Sequence, residues 1–300
     1  MRQKHAVSPV KPRRERIERL DWFIGAALFL FAASILYPFY NTLLISLVPQ
    51  QDYVRSPFML FPPTLTFKSY IDVFSNRFLM GGLLTTACIT LVGTAYNLLL
   101  TVMTAFAMTR PFPGRKVVMR LIVFTMYFSG GLIPYYLLIG KLGLSDKLAV
   151  MILPMGFSVF YMLIVISFFE DIPISLQESA RLDGANDLTI LFRIILPLSL
   201  PVLATFALYY GVDRWNEWWH GMLFIKKSAR QPLQLILRSI IQDVSYGDAV
   251  KAAEAMGEKN KFVEGIKMAS IVITMVPILC VYPFLQKYFI AGLTMGGVKE

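Results

Sequence analysis

Residues 177–197 read Gln-Glu-Ser-Ala-Arg-Leu-Asp-Gly-Ala-Asn-Asp-Leu-Thr-Ile-Leu-Phe-Arg-Ile-Ile-Leu-Pro, a stretch whose first half is a polar run between two long apolar segments. Ser175 precedes it as a candidate N-cap, and Glu178, three residues later, completes a capping box. Gly184 stands where a left-handed C-terminal cap ends a helix. The stretch therefore predicts a short amphipathic helix, at about 175–184, between two apolar spans.

The composition of the whole chain is that of an integral membrane protein. Hydrophobic residues make up 56% of its 300 residues and charged residues only 16%, whereas soluble domains carry about 25% charged residues. The apolar runs reach the roughly 20 residues that cross a bilayer as a helix, and none alternates as a membrane barrel strand does. We predict an all-α polytopic protein with six transmembrane helices, at about 22–48, 79–109, 117–139, 148–169, 198–222 and 267–286.

The distribution of basic residues predicts the orientation of these spans. Seven Lys or Arg lie within the first nineteen residues and four more lie at 110–120, whereas the loops 49–78 and 140–147 carry few. The segment 223–266 is also basic, but it is long and rich in acidic residues, so it weighs less. The positive-inside rule then places both termini and residues 170–197 in the cytoplasm. The net charge of +10 is thus explained by topology, and no nucleic-acid partner is implied.

The spans offer no residues for chemistry. Their middles lack ionisable residues, which disfavours a proton-coupled carrier, although sodium coupling through carbonyl and hydroxyl groups stays open. The chain has only two histidines, His5 and His220, and no zinc-protease, nucleophile-elbow or phosphate-binding motif. We therefore predict no catalytic residue, no metal site and no enzyme activity. If ATP powers the protein, another chain must bind it.

The spacing from Glu178 to Pro197 carries the resemblance to a family. Glu178-Ser179-Ala180 is followed after three residues by Gly184, and after nine more by Ile194-Ile195-Leu196-Pro197. This layout resembles the cytoplasmic signature of ABC-transporter permeases, E-A-A, three residues, G, nine residues, I-x-L-P, with Ser179 in place of the first Ala. The resemblance implies the type I ABC importer permease fold, whose short helix docks on an ATP-binding subunit. It assigns ATPase coupling to Ser175, Glu178, Ser179, Ala180, Asp183, Gly184, Leu196 and Pro197.

Four other stretches resemble the carbohydrate-uptake branch of these permeases. Residues Asn97–Arg115 and Gln286–Lys299 are similar to the end of the second span and the closing stretch of maltose-type permeases. Phe128–Pro134 and Pro232–Arg238 resemble the subgroup that imports oligosaccharides from polysaccharide breakdown, including pectic and uronate-rich ones. The resemblance divides the chain into a basic cytoplasmic tail (1–21), a first span with its external loop (22–78), a permease core (79–286) and a cytoplasmic C-terminal tail (287–300).

The same resemblance implies the assembly in which the chain works. It predicts a bacterial cytoplasmic (inner) membrane location, a second homologous permease subunit, two ATP-binding subunits and an extracytoplasmic solute-binding protein. This chain would hold no cofactor, since ATP and magnesium are bound by the partner ATPases. Its function would be to form half of the pathway for an oligosaccharide, and the subgroup includes importers of acidic, uronate-rich oligosaccharides. The rivals are a secondary carrier that acts alone and a membrane enzyme with an unfamiliar site.

The fifth span carries the candidate pathway residues. Trp215, Trp218 and Trp219 are spaced so as to share one helical face near its outer end. Such a face is either an interfacial aromatic belt or a contact for sugar rings, with Asn216 available for sugar hydroxyls. At the cytoplasmic end, Pro197 and Pro201 predict a bend.

Two further features leave alternatives open. The second span carries rows of small and hydroxyl residues that favour either close helix packing or a wet pathway: Gly82, Thr86, Thr90 and Thr94 in one row, and Gly93, Asn97, Thr101, Ala105 and Thr109 in the other. In the outer segment, the basic residues Lys226, Lys227 and Arg230 either attract an acidic oligosaccharide or belong to a solvated loop.

Overall fold

The computed structural model describes residues 19–56, 59–241 and 262–297, and all regular structure within these ranges is helical. Most of the predicted basic tail (1–21) and part of the outer segment 223–266 lie outside the described residues. The helices in chain order are α1 (Arg19–Ser46), α2 (Gln50–Arg55), α3 (Lys68–Ser75), α4 (Arg77–Thr109), α5 (Arg115–Tyr127), α6 (Leu132–Lys141), α7 (Val159–Glu170), α8 (Ile174–Leu182), α9 (Asp187–Leu198), α10 (Leu200–Trp215), α11 (Trp219–Phe224), α12 (Leu233–Ile241) and α13 (Val263–Gly297).

These helices supply the predicted membrane crossings. By length and composition α1, α4 and the Val263–Val281 part of α13 can each cross a bilayer. Within the described residues, three bent helix pairs pass the same test together, which makes up to six crossings if each pair is one span. The pairs join α5 to α6, the 3₁₀ turns at Leu148–Met155 to α7, and α9 to the helices from Leu200 onward, with bends of 115°, 50° and 84°. The prediction of an all-α polytopic membrane protein is confirmed.

The third predicted span is not one continuous helix. Helix α5 ends at Tyr127 and α6 begins at Leu132, with the 115° bend between them. The connecting residues include Gly130 and Gly131, and Gly131 has a φ of +87°. Glycine costs about 1 kcal/mol in a helix interior and readily adopts positive φ, so the chain turns where the two glycines stand.

The fifth predicted span is bent at one end and interrupted at the other. The chain turns by 84° around Ser199, between α9 and α10, which agrees with the bend predicted from Pro197 and Pro201. Residues Leu191–Ile195 within α9 form a π-helical turn. At the outer end α10 stops at Trp215, whereas the sequence predicted a helix to residue 222. The last span continues past 286 to Gly297, so the predicted tail begins as helix.

Helix α4 is the central element, and its small-residue rows divide between the two predicted roles. Gly93 packs directly against Arg214 of α10, where a Cβ atom would lie 2.8 Å from the arginine Cδ. Thr86 Oγ1 accepts a 2.8 Å hydrogen bond from the Leu233 main-chain N–H, and Thr101 Oγ1 lies 2.7 Å from the Tyr210 hydroxyl. These positions serve helix packing. Thr90 and Thr94 differ, because they line a cavity and their hydroxyl oxygens have no protein partner within the described chain.

A buried apolar cluster joins the inner halves of four helices. It contains Ala105 and Phe106 of α4, Val165 and Phe169 of α7, and residues of α9 and α10. The cluster includes residues just before α8 and just after it. Because they are packed in the same core as the spans, these residues cannot shift independently of the spans. The apolar side chains of the first helix, α1, remain exposed along most of its length, as expected for a helix bounded by lipid or partner helices.

Candidate functional site

Helix α8 is the predicted amphipathic helix, but its N-cap lies two residues earlier than predicted. It runs Ile174–Leu182, and its N-cap is Pro173, which has no side-chain cap. The prediction that Ser175 is the N-cap is therefore wrong: Ser175 lies inside the first turn. Proline sets a φ suited to a helix start and lacks an N–H to satisfy, so Pro173 begins the helix without a capping side chain. Glu178 and Ser179 lie exposed on the helix surface.

The C-terminal end of α8 has the predicted left-handed cap. Gly184 has a φ of +83°, and its N–H donates to the Arg181 carbonyl at 3.0 Å. The next N–H, of Ala185, reaches back to the Ala180 carbonyl at 2.9 Å. This pair of hydrogen bonds is the Schellman motif, which ends a helix and redirects the chain. Asp183, the C-cap residue, is exposed.

The side chains of α8 separate into an inward and an outward set. Ala180 and, just after the helix, Ala185 pack against the buried cluster of the inner helix halves, and Gln177 is also buried. Ile174, Leu176 and Leu182 point away from it, with exposed fractions of 68%, 44% and 90%. The outward apolar set has no cover in the described chain.

The chain after α8 is anchored firmly to the fifth span. Asn186 caps α9, its Oδ1 accepting a 2.8 Å hydrogen bond from the Thr189 main-chain N–H. Arg181 and Asp187 form an exposed ion pair at 2.9 Å across the turn. Leu196, from the predicted signature, packs on the same cluster as Ala180. Pro197 follows it and is exposed, two residues before the bend at Ser199.

The three predicted tryptophans do not share one helical face. Trp215 is the last residue of α10, Asn216 is its C-cap, and Trp218 is the N-cap of α11 with a φ of −136°. Trp215 is buried, and its indole N–H donates to the Thr274 carbonyl of α13 at 3.0 Å. Trp219 is 40% exposed and meets Trp218 edge-on at 5.5 Å. The helix interruption at 216–218 turns the three rings in different directions.

A cavity lies between α4, α10 and α13. Its volume is about 430 Å³, and its wall includes Thr90, Thr94, Gly211, Trp215 and Pro277. The wall is mostly apolar, with the two threonine hydroxyls as polar groups. Trp215 bounds the cavity towards the outer side, where its hydrogen bond to Thr274 holds α10 against α13. Of the predicted pathway residues, this cavity therefore includes only Trp215.

The sequence did not predict the polar contacts near the outer end of the fifth span. Glu217, His220 and Tyr135 form one network there, and Arg214 is buried close to it. His220 lies with its Nδ1 3.2 Å from both Glu217 carboxylate oxygens and with its Nε2 2.9 Å from the Tyr135 hydroxyl of α6. Arg214 is only 2% exposed and donates to the Met151 carbonyl at 2.9 Å. The signal was present in the run Asp213–His220, since charged residues at the end of an apolar span are costly to bury without partners.

The predicted basic residues of the outer segment all contact one residue, Asp146, in the loop after α6. Asp146 Oδ1 accepts hydrogen bonds from the main-chain N–H groups of Lys226 and Lys227, at 3.2 and 3.1 Å. The Arg230 guanidinium donates to the Asp146 carbonyl, and the Lys227 ammonium lies 3.7 Å from its carboxylate. The hydrogen bond from the Lys227 N–H is the main cause that lowers the pKa of Asp146. Lys227 and Arg230 therefore have a local structural partner.

No metal site emerges from the described parts of the chain. Within residues 19–56, 59–241 and 262–297, no three His, Cys, Asp or Glu side chains stand close enough together to bind a metal ion. The Glu217–His220–Tyr135 network contains one histidine and one carboxylate, and it joins α11 to α6. Its contacts are those of a structural clamp.

The comparison with protein families decides which class these features belong to. Residues 95–295 match the model of the binding-protein-dependent transport system inner membrane component. The chain belongs to that family. The match contains α8, the Gly184 cap, the bend at Ser199 and most of the residues that line the 430 Å³ cavity, and the predicted fold and the predicted family are both confirmed. As a member of this family, the chain is a membrane-bound permease subunit of an ABC importer and not an enzyme.

Curated relatives and a solved structure agree with the family match. A polygalacturonan/rhamnogalacturonan transport system permease protein from Bacillus subtilis is 39% identical over 93% of this chain and 98% of its own length. An arabinooligosaccharides transport system permease protein from Halalkalibacterium halodurans is 28% identical over 96% of this chain and 99% of its own. The crystal structure of a bacterial ABC transporter involved in import of the acidic polysaccharide alginate includes a chain 31% identical to this permease, with a TM-score of 0.83 over 94% of this chain and 100% of that one.

Proposed function

We propose that this permease forms half of a transmembrane pathway for an acidic oligosaccharide derived from a polysaccharide such as polygalacturonan. The substrate class is supported by the name of the 39% identical relative and by the alginate importer that shares the fold. A solute-binding protein delivers the oligosaccharide, a second homologous permease forms the other half of the pathway, and two partner subunits bind ATP and magnesium. Both termini and α8 lie on the cytoplasmic side, as the positive-inside rule predicts.

The outward apolar set of α8 is the observation that carries the coupling role. Leu182 is 90% exposed at the end of a helix whose C-terminal turn is closed by a Schellman motif. Exposed apolar side chains that lie together on a water-facing surface often mark a binding site for another protein. Burying one leucine side chain there stabilises a complex by about 1.5 to 3 kcal/mol. We propose that Ile174, Leu176 and Leu182 dock on the ATP-binding subunit while Glu178, Ser179 and Asp183 form its polar rim.

The buried cluster provides the connection between this docking site and the pathway. Ala180, Ala185 and Leu196 all pack on it, together with residues of α4, α7 and α10. A displacement of α8 is therefore shared with the helices that bound the 430 Å³ cavity. The bend at Ser199 gives α9 and α10 separate axes, so α9 can rock with α8 while α10 follows through its packing against α4.

We place the pathway at the cavity between α4, α10 and α13. The apolar wall suits the carbon faces of sugar rings. The hydroxyl oxygens of Thr90 and Thr94 are buried and unpaired among the described residues, and we propose that they turn towards sugar hydroxyl groups when the pathway opens. Trp215 closes the cavity on its outer side through its hydrogen bond to Thr274. In this proposal, Trp215 separates from Thr274 when the pathway opens outward.

Reconstitution of the complete transporter tests the proposed function. The chain is co-expressed with its second permease and ATPase subunits, purified, and placed in liposomes with its binding protein. We expect uptake of oligogalacturonate only when ATP and magnesium are supplied on the side of the ATPases. Uptake by this chain alone, driven by a sodium or proton gradient, would establish the secondary carrier instead.

A matched pair of variants locates the coupling site. Leu182→Ser removes the most exposed apolar group of α8, and we expect it to weaken co-purification of the ATPase and to reduce uptake at least severalfold. Leu188→Ser, at a 54% exposed leucine of α9 outside the outward apolar set, is the control. Equal retention of ATPase and uptake in both variants would show that the subunits meet elsewhere on the chain.

A further inference from the structure

A groove on the outer side of the permease contains an arginine that no other feature explains. The groove has a volume of about 480 Å³ and lies between the start of α11, helix α12 and the middle of α13. Trp218, Gln234 and Arg238 provide its polar and aromatic groups, and Leu237, Ile271 and Met275 belong to its apolar wall. It is separate from the 430 Å³ cavity, which lies further inward along α13 at Pro277.

The Arg238 guanidinium is held in position by the Trp218 ring and has no acidic partner among the described residues. Its central carbon lies 4.0 Å from the centroid of the Trp218 ring, a cation–π contact. Such a contact uses the charge of the guanidinium but leaves its N–H donors available for hydrogen bonds. No residue in the described parts of the chain accepts a hydrogen bond from this side chain or forms an ion pair with it. Among the residues that the structure describes, Arg238 is therefore a half-buried cation whose donors have no acceptor.

A second side chain of the groove is held in position beside it. Gln234 lies one turn before Arg238 in α12, and its Nε2 donates to Asn216 Oδ1 at 3.0 Å. Asn216 is fixed in turn, because its own Nδ2 donates to the Val212 carbonyl of α10 at 2.9 Å. This chain of hydrogen bonds orients the Gln234 amide and leaves its carbonyl oxygen as an acceptor for a hydroxyl group.

The groove adjoins the entrance of the inner cavity. Thr274 lines the groove, and its carbonyl accepts the hydrogen bond of Trp215, which lines the cavity. A molecule in the groove thus rests against the contact between Trp215 and Thr274, on the outer side of the proposed pathway. This continuity favours the transported substrate as the occupant over a partner side chain.

We propose that the groove is a subsite for a uronate residue of the substrate, with Arg238 as the residue that selects for the acidic group. The guanidinium binds the sugar carboxylate through two parallel hydrogen bonds, a geometry that a planar fork provides and an ammonium group does not. Trp218 is a positioning residue that holds the guanidinium, and Gln234 accepts a hydrogen bond from a ring hydroxyl. The subsite deepens the proposed function and rests on it.

Binding to the intact transporter tests the subsite directly. The purified complex, without its binding protein, is titrated with trigalacturonate and with the neutral methyl ester of the same trisaccharide. We expect Arg238→Gln to weaken binding of trigalacturonate about tenfold, the effect of losing a charge-assisted hydrogen bond, and to leave binding of the ester unchanged. Arg238→Lys, which keeps the charge but loses the fork, is expected to fall between the wild type and Arg238→Gln.

Trp218 is tested by a pair of substitutions with the same readout. Trp218→Leu removes the ring beneath the guanidinium, and we expect it to reduce the preference for the acid over the ester. Trp218→Phe keeps an aromatic face and is expected to restore the preference. Loss of binding to both sugars in Trp218→Leu, without any change in preference, would contradict the positioning role.

The control removes a positive charge from the same side of the membrane. Lys147 is exposed in the loop after α6, and Lys147→Gln is expected to bind both sugars as the wild type does. Equal binding of trigalacturonate by the wild type and Arg238→Gln, or no binding to either, would overturn the subsite. If Arg238→Gln instead weakens docking of the sugar-free binding protein, Arg238 contacts an acidic side chain of that protein and the proposal is wrong.

Uptake separates failure of the subsite from failure of the proposed function. A wild-type transporter that accumulates no oligogalacturonate with ATP would contradict the proposed function. Normal accumulation by the wild type together with an unchanged acid-to-ester uptake ratio in Arg238→Gln would contradict only the subsite. The ratio is compared with that of the wild type, so any preference of the binding protein cancels.

Discussion

Arg214 of the fifth span donates a 2.9 Å hydrogen bond from its Nη1 to the main-chain carbonyl of Met151 in the 3₁₀ turn that precedes α7. The arginine is 2% exposed, and Gly93 of α4 is in contact with its side-chain carbons. The Arg214 side chain therefore connects three spans. It extends from the fifth span, packs against the second and donates a hydrogen bond to the start of the fourth. Burying an arginine is less costly where its donors have acceptors, and here Nη1 donates to a carbonyl of a short 3₁₀ turn and Nη2 contacts the Met155 sulfur, whereas the buried Nε has no partner in the described chain.

This contact predicts the effect of adding one methyl group at position 93. In Gly93→Ala the new Cβ would lie 2.8 Å from Arg214 Cδ and 3.1 Å from its Cγ, so the arginine must move away from Met151. We expect a loss of about 1 to 3 kcal/mol in stability, which is typical of overpacking. The measurement is the thermal unfolding midpoint in detergent. Gly81→Ala in the same helix, where nothing lies within 4 Å of a new Cβ, should unfold at or above the wild-type temperature.

Tyr210 predicts a second stability effect in the inner half of the molecule. Its hydroxyl lies 2.7 Å from Thr101 Oγ1 and accepts a 2.9 Å hydrogen bond from the Ser158 main-chain N–H at the start of α7. Tyr210→Phe leaves that N–H without its acceptor, which costs about 1 to 3 kcal/mol for a buried group. Tyr209→Phe, at a side chain that is 38% exposed, is the matched control. Equal unfolding midpoints for the two variants would show that another group replaces the Tyr210 hydroxyl.

Gly184 predicts a loss of coupling without a loss of folding. Its φ of +83° costs a residue with a Cβ about 1 to 2 kcal/mol, although nothing lies within 4 Å of that atom. We expect Gly184→Val to open the Schellman turn, to reduce ATP-driven uptake severalfold and to leave membrane insertion intact. Gly184→Asn is the control, because asparagine tolerates the left-handed conformation. Full uptake in Gly184→Val would mean that the cap is not needed for coupling.

We expect Asp146 to make a pH-dependent contribution to the stability of the folded outer loops. Its pKa is lowered, chiefly by the Lys227 N–H, so its ionised form stabilises the folded state above the ordinary carboxyl range and loses this effect as the pH falls through the lowered pKa. We expect Asp146→Asn to lower the unfolding midpoint at neutral pH, and the difference from the wild type to shrink below about pH 4. Asp171→Asn, at an exposed acid near α8, is the control for the loss of one surface charge.

The inner site was largely predictable because its signals are local. A glycine at a left-handed cap, a proline near a bend and the spacing to Leu196 act within a few residues of the chain, and each is found where it was expected. The predicted N-cap of α8 was wrong by two residues because Pro173 can begin a helix as well as Ser175 can, and short-range patterns do not rank the two. The outer site was not predictable in the same way.

The sequence by itself determined an all-helical membrane protein with a bend in its fifth crossing, a short capped helix between two crossings, and the family. These properties follow from hydrophobic length, glycine and proline conformations and motif spacing, which are all short-range effects. Only the tertiary structure decided that the three tryptophans diverge, that Arg214 bonds to Met151, and that Arg238 lies on Trp218. Those contacts join residues between 20 and 63 positions apart, and they depend on how the helices pack, which a local pattern does not encode.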